Sequence, residues 1–165
     1  MNIFEVSEHT RTNESAIQFL QDRGILRSLA PQCPNCHNLM NKIKYDEKGD
    51  GYMWQCNRRH ELDGLNIPRC KSKQGARSGS FLEQQKIEPN KFIMLAYLWA
   101  HGVSGATQES MVEFGHPSVV QWNQYFRDVC SRNLLDNPIR LGGPGHVVQI
   151  GTFTNVLFFC HFRSF

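Results

Sequence analysis

The residues best suited to chemistry here are cysteines. Cys33-Pro34-Asn35-Cys36 sets two thiols three positions apart, a spacing whose tight loop can turn both sulfurs toward one tetrahedral ion. A closed site needs a second pair from elsewhere in the chain. Leu39 to Cys56 reads as a β-hairpin: Met40, Ile43 and Tyr45 lead into the turn Asp46-Glu47-Lys48-Gly49-Asp50-Gly51, and Tyr52 and Trp54 alternate on the way back. Such a hairpin returns Cys56 to the knuckle. Two residues compete for fourth ligand. Cys70 lies fourteen positions after Cys56 and His60 only four; Cys70 is preferred, because Arg58, Arg59 and Glu61 mark the surroundings of His60 as an exposed loop. Four thiolates leave no open coordination position, so the expected cofactor is one structural Zn2+ per chain, held by Cys33, Cys36, Cys56 and Cys70. The segment is poor in aliphatic residues and needs such a staple.

Compartment and charge fit that reading. The first residues carry Glu5 and Glu8 and no apolar core, so no secretory signal is expected. The longest apolar run, Phe92 to Ala100, is about half of what a membrane helix needs. A reducing compartment follows, where paired cysteines read as ligands before disulfides. The net charge is only +3, but Pro31 to Leu82 holds nine Lys/Arg against five Asp/Glu. The basic surplus shares the cysteine-rich stretch, as it would in a phosphate-contacting module. Arg58, Arg59, Lys71, Lys73 and Arg77 are the candidate phosphate contacts.

The elements that must position these groups divide the chain into four parts. Residues 1–30 hold a short amphipathic helix, capped by Asn13, with Ala16, Ile17 and Leu20 on one face and Gly24 ending it in a left-handed turn. Residues 31–82 form the cysteine-rich ribbon. Residues 83–137 read as helices: one from Pro89 through the apolar stretch Phe92–Trp99, one over Thr107–Phe114, and one from Ser118 to about Leu134. In the last, Val119, Trp122, Phe126 and Val129 make one apolar stripe. Gln121, Gln124 and Arg127 lie off it, and amide and guanidinium side chains of this kind can read adenine and guanine. Two short helices turning through Gly115-His116-Pro117 into a longer one have the form of a helix-turn-helix. Residues 138–165 open with a Gly/Pro loop and continue as an aromatic, strand-like stretch. The expected fold class is α+β: a small zinc ribbon of β-hairpins, flanked by an N-terminal helix and a C-terminal helix-turn-helix-like bundle.

In this order the features resemble the N-terminal half of Merlin-type DDE transposases and their bacterial insertion-sequence relatives. The carrying residues are Cys33-Pro34-Asn35-Cys36, Gly51-Tyr52-Met53-Trp54-Gln55-Cys56, Cys70 with Arg77-Ser78-Gly79-Ser80-Phe81, Leu95 to Ser104, and Leu141-Gly142-Gly143-Pro144-Gly145-His146-Val147-Val148. The likeness spans about residues 12–150; its Cys56–Cys70 loop is longer than the family pattern. The resemblance implies a zinc ribbon and helix-turn-helix that hold double-stranded DNA at transposon terminal repeats, nuclear in a eukaryotic cell and cytoplasmic otherwise. It also implies self-association or pairing with an intact transposase, and no membrane.

One departure bears on catalysis. The resemblance places a first catalytic aspartate at Gly151, and no carboxylate follows Asp136. Strand transfer of this kind needs three carboxylates around two metal ions. The expectation is therefore a transposase-derived DNA-binding module without strand-transfer activity, with no catalytic residues. The alternatives are a zinc-ribbon protein-interaction adaptor and a fragment of an active DDE transposase.

Overall fold

Helix formation starts two residues into the chain. In the computed structural model, which describes residues 1–45, 50–58 and 70–139 and the backbone of 61–62 and 65–66, α1 (Ile3–Thr10) is set by a capping box. The Glu5 amide donates to Asn2 Oδ1 and the Asn2 amide to Glu5 Oε2, both at 3.0 Å. Sequence patterning did not disclose this helix, because it buries only Val6. The helix after it, α2 (Asn13–Asp22), buries Ala16, Ile17 and Leu20 as expected. Its cap is Thr12 rather than Asn13: the Thr12 hydroxyl accepts from the Ser15 amide. Gly24 closes it at φ +71°, with the Ile25 and Leu26 amides donating to the Leu20 carbonyl.

Three strands form an antiparallel sheet in the order β1 (Asn41–Lys44), β2 (Tyr52–Gln55), β5 (Lys73–Gly75). Between β2 and β5, β3 (Glu61–Leu62) and β4 (Leu65–Asn66) make a separate two-stranded pair. β1 faces β2 from Asn41↔Gln55 to Lys44↔Tyr52, and the Tyr45 amide donates to the Gly51 carbonyl at the turn. β5 pairs with the other edge of β2, from Gln55↔Lys73 to Met53↔Gly75. As the central strand, β2 buries Tyr52, Met53 and Trp54 in succession, where alternation alone predicted one apolar face. β5 itself, short and polar, carried no strand signal.

The helices α3 (Pro89–Ala100), α4 (Gly105–Val112) and α5 (His116–Asp136) complete the α+β architecture. Pro89 stands in the first turn of α3, where a missing N–H costs nothing. Phe92, Ile93, Leu95 and Leu98 of α3 are buried, and the helix packs on α1, α2 and α4. The apolar faces of α1 and α2 thus find their partner in α3, more than sixty residues later. Ser104 caps α4 through the Thr107 amide, which starts that helix two residues before the expected Thr107. α4 ends on Glu113, whose φ of +57° is left-handed, and the Gly115 carbonyl receives the Ser118 and Val119 amides as α5 begins.

Two compact units result, Met1–Val120 and Gln121–Phe165. Along α5, Val119, Trp122 and Phe126 are buried, but Val129 is half exposed, so the apolar stripe stops one turn earlier than the spacing suggests. Among the described residues no helix is long and apolar enough to cross a membrane.

Candidate metal centre

Two backbone devices deliver the four thiols. The first is the knuckle itself. The Cys33 amide donates to the Asn38 carbonyl at 2.7 Å and the His37 amide to the Cys33 carbonyl at 2.9 Å. Asn38 Nδ2 donates to the Cys36 carbonyl, and His37 takes a left-handed φ of +55°. Below this turn, Gln32 and Leu39 form an isolated antiparallel bridge and the Met40 amide donates to the Pro31 carbonyl. The loop is therefore closed by its own hydrogen bonds, with both sulfurs on one side.

The second device extends the β2–β5 ladder. Past the last paired strand residues, the Cys56 amide donates to the Ser72 carbonyl and the Cys70 amide to the Arg58 carbonyl, each at 2.9 Å. Cys56, opposite Ser72, and Cys70, opposite Arg58, become diagonal neighbours across the ladder although fourteen positions separate them. Short sequence spacing is not needed when a ladder supplies the proximity.

All four Sγ atoms lie within 4.8 Å of one another. Cys33 Sγ is 3.6 Å from Cys70 Sγ, and Cys36 Sγ is 3.5 Å from Cys56 Sγ. A tetrahedron of thiolates with metal–sulfur bonds of about 2.3 Å has edges of about 3.8 Å. A disulfide would require about 2.05 Å. The cluster therefore has the dimensions of a four-sulfur metal cage, and its thiols are unlinked. Cys33 and Cys56 are buried; Cys36 and Cys70 are half-buried.

Crowding separates the acidities of the four. Burial pushes the Cys33 thiol up, but the Asn35 and Cys36 amides outweigh it and bring Cys33 down to about 6. Asn38, through side chain and backbone, lowers Cys36. At Cys56 the Arg58 amide favours the thiolate, and burial together with the neighbouring thiols overrides it, pushing Cys56 up to about 12. Cys70 is also raised: the Ser72 amide opposes the rise, while burial and Cys33 drive it. Two sulfurs inclined to ionise and two held neutral share one small volume. A divalent cation would relieve both, since it stabilises every thiolate at once.

The expected nucleic-acid contacts fall into distinct settings. Lys71 and Lys73 are exposed, directly after Cys70 and on β5. Arg58 is exposed and donates to the Asn38 side chain. Arg77 is engaged elsewhere. Its guanidinium grips Asp50 through Nε and Nη2 at 2.6–2.9 Å and donates to the Gln85 carbonyl through Nη1, with both partners' side chains largely buried. That bond ties the β1–β2 turn to the segment after β5. Two exposed cations that spacing did not single out, Lys42 and Lys44, stand on β1, with the Lys42 ammonium 4.1 Å from the Tyr52 ring centre. Their period-two alternation in Asn41-Lys42-Ile43-Lys44 was the available signal.

On α5, Gln121, Gln124 and Arg127 are all exposed. Gln121 Nε2 donates to the Tyr125 hydroxyl and Gln124 Nε2 to Asp128 Oδ1, both at 2.8 Å. Ahead of them, His116 Nδ1 lies 2.6 Å from Glu109 Oε1 and bridges α4 to the first turn of α5. Arg59, His60 and the whole stretch 140–165, Gly151 included, lie outside the described residues. Compared with family models, curated proteins and solved structures, the chain matches none.

Proposed function

We propose that the chain is a zinc-stabilised module that holds double-stranded DNA, of the kind implied by the transposases its sequence resembles. The observation that carries this reading is the cluster Cys33, Cys36, Cys56 and Cys70 at tetrahedral spacing. Soft thiolates in a four-sulfur set favour zinc or iron–sulfur chemistry over hard cations, and one small cage suits a single Zn2+. With every position filled by sulfur, the ion orders the backbone and activates no water. Cys33 and Cys36 fix the knuckle to it; Cys56 and Cys70 fix the end of the β2–β5 ladder.

Affinity for DNA is supported by the cations on and beside the sheet. Lys42, Lys44, Arg58, Lys71 and Lys73 are exposed on or beside the three-stranded sheet, where ammonium and guanidinium groups can meet phosphates. Arg77, committed to Asp50, serves the fold instead. Gln121, Gln124 and Arg127 supply the base-reading face of α5. Strand transfer is no part of this function, because Gly151 offers no ligand oxygen where the resemblance places an aspartate.

Metal analysis combined with duplex-DNA binding tests the reading. One zinc per chain is expected, with retention on DNA that weakens steeply with salt. Zinc without salt-dependent retention would transfer the module to the protein-interaction class. Absence of any metal after purification under reducing conditions would remove the foundation of both.

A further inference from the structure

Two thiol pairs at hydrogen-bond distance cross the knuckle. Cys33 meets Cys70 at 3.6 Å and Cys36 meets Cys56 at 3.5 Å. Each of these pairs joins one half-buried sulfur to one buried sulfur: Cys70 with Cys33, and Cys36 with Cys56. That is the arrangement of an oxidant-accepting thiol beside a resolving thiol. We propose that the cluster is a hydroperoxide-sensitive modification site, in which one sulfur of each pair takes the oxidant and the cage closes into the disulfides Cys36–Cys56 and Cys33–Cys70, expelling its metal. The metal-release half rests on the zinc reading; the crossed connectivity does not.

The chemistry balances with hydrogen peroxide as sole oxidant. The Cys36 sulfur attacks one peroxide oxygen, the O–O bond breaks, and the departing hydroxide takes a proton to leave as water. The resulting sulfenic acid is attacked by the Cys56 sulfur; the S–S bond forms, the S–O bond breaks, and a second water leaves. Two thiols lose two electrons and two protons, and one peroxide becomes two waters. The Cys33–Cys70 pair repeats the sequence with a second peroxide. Closure requires each pair to approach by about 1.5 Å to reach disulfide length, within the play of side chains on the knuckle and ladder.

Crossed linkage has a structural consequence that linkage within the knuckle lacks. Cys36–Cys56 spans 20 positions and Cys33–Cys70 spans 37, so both tie the knuckle to the ladder, as the metal would. A Cys33–Cys36 bond would close only its own turn and leave the ladder unfastened. Longer closed loops also restrict the unfolded chain more. The oxidised ribbon thus keeps its layout and can take metal back once reduced.

The test uses the full chain with Cys130→Ser and Cys160→Ser, which removes competing thiols outside the cluster. Zinc-loaded protein is treated with hydrogen peroxide while a chromophoric chelator reports released zinc; disulfides are then mapped by electron-transfer fragmentation, which cuts the backbone between Cys33 and Cys36. Expected are release of one zinc per chain, the two crossed linkages, and recovery of zinc binding after reduction. Linkage within the knuckle, the alternative crossing Cys33–Cys56 with Cys36–Cys70, oxidation to sulfinic acid without linkage, or resistance to peroxide would each overturn the proposal. The same mapping on chelator-stripped protein separates the two readings. Crossed disulfides in a chain that never bound zinc would sink the metal assignment and leave the connectivity standing.

Discussion

Arg77 and Asp50 show how a charged residue in a basic segment can belong to the fold. Removing the guanidinium strands a mostly buried carboxylate, and breaking such a pair from one side costs about 3 kcal/mol. Arg77→Ala should lower unfolding free energy by about that amount in denaturant titration. Arg77→Lys should recover only part, because one ammonium cannot reproduce the fork on Asp50 and still reach the Gln85 carbonyl. The cysteines make a sharper test. Cys70→Ser should abolish stoichiometric zinc, while His60→Ala retains it; metal analysis showing the reverse would reassign the fourth ligand. Acid should act through Cys33. Its thiol lies below its ordinary value of 9.0, at about 6, so the stability it contributes is complete above the unfolded value and is lost as pH falls through about 6. In metal-free protein, thiolate absorbance should therefore show a step near pH 6 that Cys33→Ser removes. No corresponding step from Cys56 should appear until about 12.

At the level of elements, legibility followed the strength of local patterning. Ala16, Ile17 and Leu20 gave α2 away by helical spacing, and Gly24 its end, because both signals lie within one turn. Pro89 and the apolar run after it did the same for α3. What stayed hidden depended on partners distant in sequence. β5 is three polar or small residues that become a strand only because β2 has an edge to offer, and α1 is held by an Asn2–Glu5 cap over a single buried Val6. The knuckle was readable from its spacing, and Cys70 was preferred over His60 only from the charged surroundings of His60, while the ladder that brings Cys70 in was not readable. Arg77 looked like a phosphate contact because its partner, Asp50, sat in what read as a polar turn. Two substitutions probe the helices. Leu95→Ala, at a fully buried position of α3, should destabilise by about 3 kcal/mol. Gly24→Ala should cost about 1 kcal/mol: an added Cβ meets nothing within 4 Å there, so the penalty is purely that of a left-handed φ. Thermal unfolding of both variants checks the contrast.

For the molecule as a whole, the decisive measurement is how the proposed affinity for DNA responds to salt. Neutralising Lys42, Lys71 or Lys73 singly should lower the slope of log affinity against log salt by about one, whatever the DNA sequence. Arg77→Ala, compared while still folded, should leave the slope unchanged. Arg127→Ala should instead alter preference among sequences; equal weakening of all of them would dismiss its role as a base reader. With magnesium or manganese, the 165-residue protein should bind such DNA without cutting it, as seen by intact strands on denaturing gels.

The central position of β2 also has a history in time. Its first partner, β1, is eight residues away and available at once, but its second, β5, lies beyond the Cys56–Cys70 excursion. During synthesis at about 5–20 residues per second, some twenty further residues must be made after Gln55, so that edge waits on the order of one to four seconds. For that interval Met53 and Trp54 sit beside unpaired backbone groups, the condition under which nascent chains find wrong partners. Only three of the four thiols have then been made. Delivery of Cys70 and Lys73–Gly75 within a few residues of each other pairs the strand edge and completes the four-thiol cluster nearly together, so the sheet's most association-prone period ends as that cluster gains its last sulfur.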